Sequence, residues 1–304
     1  MRIVSLLPAG TEIVAALGGE TLLVGISHEC DYPASILQLP RVTRTPVDSS
    51  LSSARIDAQV REIQAEGRPV IALEAGVLET LAPDLILTQD LCEVCAVADG
   101  EVYRLADTMT SPPEIVPLRG RDFGGILKDI RTVGYAAGMV KAAEELVQSL
   151  ELMLRQLSED GLDDPGLRAR RRVLCIEWLD PLYFAGHWVP QLVQAAGAED
   201  VGARPGAHST QRSWSEAVVL KPNLLLVMLC GFGVDRSEEE LASVRNPEAV
   251  QLLTDTETWI LDGNSYTSRP GPRVVDGAIR IRAALQGQEL EGLRRYAPTG
   301  ARSG

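Results

Sequence analysis

The feature that most constrains this chain is an alternation of short apolar runs with helix-like stretches, interrupted once near its middle. Residues 3–7, 22–26, 70–73 and 85–88 form runs of four or five residues, the length of buried parallel strands. Between the first two, residues 11–17 place Ile13, Val14 and Leu17 on one helical face, and Gly18-Gly19 closes the pattern. This is βαβ grammar, and it predicts α/β lobes with parallel sheets and helices on both sides.

The pattern changes near Arg119. Phe123, Ile126, Leu127, Ile130 and Val133 repeat at helical spacing, and a second run over 140–159 carries Ala143, Leu146, Val147, Leu150 and Leu154. At 1.5 Å per residue the second helix extends about 30 Å, enough to join two lobes. Strand-helix alternation resumes with apolar runs at 173–178, 182–185, 224–229 and 259–261. The halves echo each other: Leu81-Ala82-Pro83-Asp84-Leu85-Ile86-Leu87 matches Leu220-Lys221-Pro222-Asn223-Leu224-Leu225-Leu226, a helix ending before proline and a buried strand beginning. The expected organisation is an N-terminal lobe over 1–118, bridging helices and linker over 119–165, a C-terminal lobe over 166–285, and a frayed tail over 286–304.

A chain of 304 residues with 45% hydrophobic content can bury a core in each of two lobes. Its formal charge of −13 argues against nucleic acid or an anionic membrane as partner. The basic cluster Arg168, Arg170, Arg171 and Arg172 adjoins Asp163 and Asp164 and reads as a solvated loop. No segment approaches the ~18 apolar residues of a membrane span. The opening residues read as a strand rather than a signal-peptide core, and five cysteines fit a reducing compartment. The sequence therefore predicts a cytoplasmic protein, with a periplasmic or extracellular one as the alternative if a leader has been removed.

In open parallel sheets ligands bind beyond the carboxyl ends of the strands. After the first strand comes Pro8-Ala9-Gly10-Thr11-Glu12, where Thr11 is the expected helix cap. Later loops hold His28-Glu29-Cys30-Asp31-Tyr32, Gln89 to Cys95, Glu177-Trp178, Gly186-His187-Trp188, Cys230-Gly231-Phe232-Gly233 and Asn264 to Arg273. Trp178, Trp188 and Trp214 sit in or beside such loops, whereas Trp259 lies inside a strand and reads as core. Loop aromatics give rigid flat walls, as a planar ligand requires.

The opening Arg2-Ile3-Val4-Ser5-Leu6-Leu7-Pro8-Ala9-Gly10-Thr11-Glu12, the Pro83-Asp84-Leu85-Ile86 element, the bridging helix and the Arg269-Pro270-Gly271-Pro272-Arg273 ending resemble the cobalamin-binding branch of the metal-chelate substrate-binding proteins of ABC importers. The resemblance spans roughly residues 1–285 and implies two Rossmann-like lobes joined by a long rigid helix, a ligand cleft between them, and no catalysis. It implies a corrinoid such as cobalamin as ligand, with an iron-siderophore or heme as alternatives. Tyr32, Trp178, Tyr183, Trp188, Phe232 and Tyr266 are the expected apolar and aromatic contacts. Pro8, Ala9, Gly10, Thr11, Gln89, Asn264 and Arg269 are the expected remainder of the site. His187 could reach the chelated metal as a neutral imidazole. Importer-feeding members present one acid per lobe to a permease; Glu216 lies near the expected place, while Glu74 and Glu79 are offset.

A second chemistry is open at Cys92-x-x-Cys95, which is half of a zinc site, and His28 and Cys30 could supply two more ligands. The same residues also read as a redox pair or as packing. Catalytic signatures are missing: the sequence holds no G-x-S-x-G, P-loop or H-E-x-x-H. A metal-dependent or redox enzyme using His28, Cys30, Cys92 and Cys95 is the alternative from another functional class.

Overall fold

The computed structural model describes residues 1–89, 99–163 and 171–297. The chain divides into two compact units, Met1–Leu51 with Arg55–Ser149, and Ser52–Ala54 with Leu150–Gly304. Cys92, Cys95 and the arginines of the basic cluster before Arg171 lie outside the described residues.

Unit 1 contains β1 (Ile3–Ser5), α1 (Pro8–Ala16), β2 (Leu23–Ile26), β3 (Thr43–Arg44), most of α2 (Ser53–Ala65), β4 (Ala72–Leu73), α3 (Ala75–Leu81), β5 (Leu85–Gln89), α4 (Asp99–Thr108), β6 (Glu114–Leu118) and α5 (Phe123–Ala136). The helix α6 (Val140–Asp163) begins in it, and the division between units falls within that helix. The sheet is parallel throughout, in the order β2-β1-β5-β6, with Ser5 level with Ile26 and Leu87. Ile3, Val4 and Leu85 to Leu87 are almost wholly buried, which is why these strands read as continuous apolar runs. One face packs Val4, Leu6 and Ile86 against Val42, Ile71, Leu73, Leu78 and Val102.

The expected strand at 70–73 is corrected. Only Ala72–Leu73 is extended, and it pairs antiparallel with β3 in a separate two-stranded ladder. Its apolar residues cover a face of the parallel sheet instead of joining it. At the α5/α6 turn, a Cβ on Gly134 would stand 2.3 Å from that of Ala143, so glycine sets this close approach.

Unit 2 contains the rest of α6, then β7 (Arg172–Leu179), β8 (Leu182–Phe184), α7 (Val189–Ala195), β9 (Glu199–Asp200), β10 (Thr210–Gln211), α8 (Trp214–Val219), β11 (Leu224–Val227), α9 (Val234–Ser243), α10 (Pro247–Asp255), β12 (Glu257–Leu261), α11 (Gly263–Tyr266), α12 (Val274–Leu285) and β13 (Leu293–Tyr296). Its sheet runs β10-β8-β7-β11-β12-β13, with β9 paired to β7. β7, β11 and β12 are parallel, but β8 turns back against β7 and β13 lies antiparallel to β12. The expected parallel sheet thus forms the centre of unit 2, with antiparallel strands added on either side of it.

The frayed tail is corrected too, as far as Tyr296. Leu293 and Tyr296 are buried while Arg294 and Arg295 between them are exposed, a two-in-four pattern too short to stand out in sequence. Arg294 ties the strand to Asp235 at 2.9 Å and Glu238 at 2.7 Å. Buried Arg282 of α12 donates from Nε to the Ala196 carbonyl at 2.6 Å and from Nη2 to that of Leu157 at 2.6 Å. A guanidinium on the last carbonyls of α7 and a late turn of α6 suits the negative end of each helix.

Candidate functional site

In unit 1 the carboxyl ends of β1, β2 and β5 lead into Pro8, Ser27-His28 and Gln89. Thr11 does not cap α1, because the helix begins three residues earlier: Pro8 at its first turn fixes φ and has no N–H to satisfy. The fully buried Thr11 hydroxyl lies 3.4 Å from the Leu7 carbonyl and 3.1 Å from Cys30 Sγ. Ala9 and Gly10 are buried, and a Cβ on Gly10 would come within 2.8 Å of Ser5 Oγ. Of this predicted stretch only Pro8 keeps partial exposure. Tyr32 is 48% exposed, and Gln89, half-buried, ends β5.

His28 is held by Thr43. Its backbone N–H donates to Thr43 Oγ1 at 3.0 Å, and its Nδ1 lies 2.7 Å from the same oxygen. Thr43 Oγ1 also donates to Ser27 Oγ at 3.2 Å. Nε2 is buried without a hydrogen-bond partner. Burial pushes the imidazole below its ordinary value, with Glu29 opposing and Arg41 adding. Among the described residues no three histidine, cysteine or acidic side chains lie close enough to hold a metal ion. Cys30 is a buried thiol outside any disulfide.

In unit 2 two of the predicted aromatics, Trp178 and Phe232, meet at the carboxyl ends of β7 and β11. Trp178 and Tyr183 are cross-strand partners in the β7–β8 hairpin. Trp178 meets Phe232 edge-on at 5.4 Å, and the Arg236 guanidinium stands 3.5 Å from the Phe232 ring centre. Phe232 is thus buried between an indole and a cation. The Asn264 N–H donates to the Phe232 carbonyl at 3.2 Å, and Asn264 Oδ1 accepts from buried Arg269 at 2.7 Å. Tyr266 receives a hydrogen bond from Arg280 at 2.8 Å.

His187 sits at φ 54°, a left-handed conformation held by loop 201–209. Its N–H donates to the Ala207 carbonyl at 2.6 Å, its carbonyl accepts from Gly206 at 2.8 Å, and Nδ1 lies 3.4 Å from Ser209 Oγ. The His208 ring stands edge-on at 5.4 Å. Trp188 is buried and its indole N–H donates to the Thr267 carbonyl at 3.0 Å. It therefore fastens the loop after β12.

Sequence reasoning did not single out Arg236, Thr43 or Asp200. Asp200 Oδ1 accepts from Gly202 N–H at 2.8 Å and Ala203 N–H at 3.2 Å, and Oδ2 is buried without a partner. The Asp-Val-Gly run after a helix was the available signal for this turn. The acids expected to face a permease have local partners: Glu216 forms a capping box with Ser213 and bonds Arg212 at 3.3 Å, and Glu74 pairs with Arg44 at 2.6 Å. Glu79 is exposed. Among the described residues no helix is long and apolar enough to cross a membrane.

No family model matches the chain. Among curated proteins it is 26% identical over 158 residues, 52% of its own length, to an ABC transporter substrate-binding lipoprotein of Bacillus subtilis called YvrC, itself uncharacterized. The chain spans only 41% of that relative's length. Solved structures match far more fully. A periplasmic heme-binding protein from Pseudomonas aeruginosa superimposes with a TM-score of 0.76 at 20% identity, covering 98% of this chain and 99% of that one. The periplasmic vitamin B12-binding protein BtuF of Vibrio cholerae gives 0.63 at 19% identity, over 94% and 96%. The periplasmic heme-binding protein HutB of the same organism gives 0.65 at 21%, over 94% and 98%. Over nearly its whole length, then, this chain has the α/β fold of the periplasmic binding proteins for heme and vitamin B12.

Proposed function

We propose that this chain is a substrate-binding protein for a broad, flat metal chelate, a corrinoid or a heme, and that it catalyses no reaction of its own. The observation that carries this reading is the whole-length match to binding proteins whose names specify heme or vitamin B12. The corrinoid is favoured by the sequence resemblance, the heme by the larger TM-score of the Pseudomonas protein. In unit 2, Trp178 and Tyr183 offer partly exposed rings, while Phe232 and Trp188 are buried and act as backing. Burying about 300 Å² of apolar ligand surface at about 25 cal/mol per Å² yields on the order of 7 kcal/mol before association costs. Thr11, whose hydroxyl is turned inward, contributes to the scaffold of the site and not to its surface.

His187 is the proposed ligand to the chelated metal. Its neutral form must bind, so affinity falls as pH drops through the imidazole titration. An ABC permease is the proposed partner. The relatives are named as periplasmic or as a lipoprotein, which supports an exported protein over the cytoplasmic one predicted from sequence. Fractionation of the untagged native protein tests that part.

The binding reading is tested by titrating heme, aquocobalamin and cobinamide into wild type, Trp178→Ala and His187→Ala while recording absorbance. Wild type is expected to saturate with one chelate class, Trp178→Ala to bind about fivefold or more weakly, since a buried aromatic contact contributes ~1 kcal/mol or more, and His187→Ala to lose the spectral shift. An unchanged shift in His187→Ala removes the axial role alone.

A further inference from the structure

Loop 201–209 is the cradle of His187. Gly186 lies flush against it, since a Cβ there would stand 2.5 Å from the Ala207 carbonyl, and its N–H donates to Ser209 Oγ at 3.1 Å. What fastens the near end of this loop is Asp200, whose Oδ1 takes the N–H groups of Gly202 and Ala203. The other oxygen, Oδ2, is buried, and the wholly buried Cys175 thiol of β7 is a polar neighbour of the carboxyl.

We infer that Asp200 is the positioning residue for His187: with a proton on the carboxyl, the turn closes and the loop holds the imidazole in place, and loss of that proton to solvent loosens the loop. This rests on the binding role proposed for His187. The protonated acid keeps Oδ1 as acceptor for both N–H groups and leaves no charge on the buried Oδ2. The ionised form leaves a charge on a buried oxygen with no cation beside it, and the weak donor of the Cys175 thiol does not offset the burial, so it gains by opening to solvent.

The surroundings agree. Burial pushes the Asp200 carboxyl up to about 7, against the pull of the two N–H groups and Cys175. From β7, Glu177 adds negative charge near Cys175. Glu199, next in β9, is paired with Arg172 at 3.8 Å, and α7 carries no titratable residue. Arg204 and His208 belong to the loop itself. Arg212 and Glu216 line the cavity of about 380 Å³ that Val201 and Gly202 also border.

The test is amide hydrogen exchange of the full chain over residues 201–209 at about pH 6 and about pH 8.5, corrected for intrinsic rates, in wild type and Asp200→Asn. Asparagine keeps the acceptor and places an N–H₂ where the acidic proton stood. Wild-type protection is expected to fall about tenfold or more between the two pH values, and that of Asp200→Asn to stay level. A level wild type, or an equal fall in the variant, overturns the inference. Should the variant not fold, carbon NMR of the wild-type aspartates decides: a carboxyl titrating near 7 together with the Gly202 and Ala203 amides supports it, and its absence overturns it. Failure to bind heme or cobinamide, with the exchange step intact, defeats the binding proposal and leaves the anchor standing. Binding with level exchange defeats the anchor alone.

Discussion

Unit 1 and unit 2 use the same strand-helix alternation yet furnish their strand ends differently. In unit 1 the groups are small and polar and bond one another: Thr11 with Cys30, and His28 with Thr43 and Ser27. Two of its buried atoms, His28 Nε2 and Thr88 Oγ1, have no partner. In unit 2 the groups are aromatic and pinned by arginines and carbonyls: Phe232 under Arg236, Tyr266 under Arg280, and Trp188 on the Thr267 carbonyl. A large flat side chain excludes water only if its own polar edge is satisfied, and unit 2 supplies those partners from the chain following β11 and β12. Unit 2 likewise keeps Asp200 Oδ2 and Ser237 Oγ buried without a hydrogen-bond partner, so the difference between the units lies in the aromatic surface that unit 2 builds.

The comparison breaks most visibly in the core of unit 2. Trp259 is fully buried and its N–H donates to Glu257 at 3.0 Å. Trp259→Ala is expected to cost about 3–5 kcal/mol in urea unfolding. A loss below about 1 kcal/mol would mean that this sheet is not packed as described.

Opposite pH slopes sharpen it. His28 has a lowered pKa, so the unfolded chain takes up its proton first, near 6.5. That contribution is complete above 6.5 and is lost as pH falls below it. Asp200 is raised from 3.8 to about 7, so native unit 2 holds a proton the unfolded chain releases, and stability declines as pH rises across that window. At ~1.4 kcal/mol per pKa unit the Asp200 effect reaches a few kcal/mol. Site-resolved exchange across pH should show unit 1 weakening on acidification and unit 2 on alkalinisation; His28→Gln should flatten the first and Asp200→Asn the second. Slopes of the same sign in both units would contradict this.

The smallest effect lies at Gly10, where an added methyl meets Ser5 Oγ and Leu87. Gly10→Ala is expected to destabilise by about 1–3 kcal/mol through overpacking, read from its denaturation midpoint. An unchanged midpoint would show that α1 can shift away from β5.

Much of this was legible in sequence because burial on both faces leaves unbroken apolar runs, as in β5 and β11. The start of α5 was legible from the apolar repeat that begins at Phe123, and Asp122 before it accepts from Gly125 at 2.7 Å. β4 and β13 were misread because two or four residues with one or two inward positions carry no period. Thr11 was misread because the proline at the first turn outranks a threonine cap. Trp178 and His187 were legible as loop residues, but Phe232 and Trp188 read as surface when their rings are buried. Which face of a loop aromatic is covered depends on distant partners, Arg236 and Thr267, that no local pattern names.

The central claim is that the aromatic surface serves a flat metal chelate. The most direct measurement is equilibrium dialysis of the wild-type chain against heme and against aquocobalamin, with the visible spectrum of the bound fraction. The account predicts saturation near one chelate per chain, with a spectrum distinct from that of the free ligand. Retention of neither chelate at high micromolar concentration would contradict it.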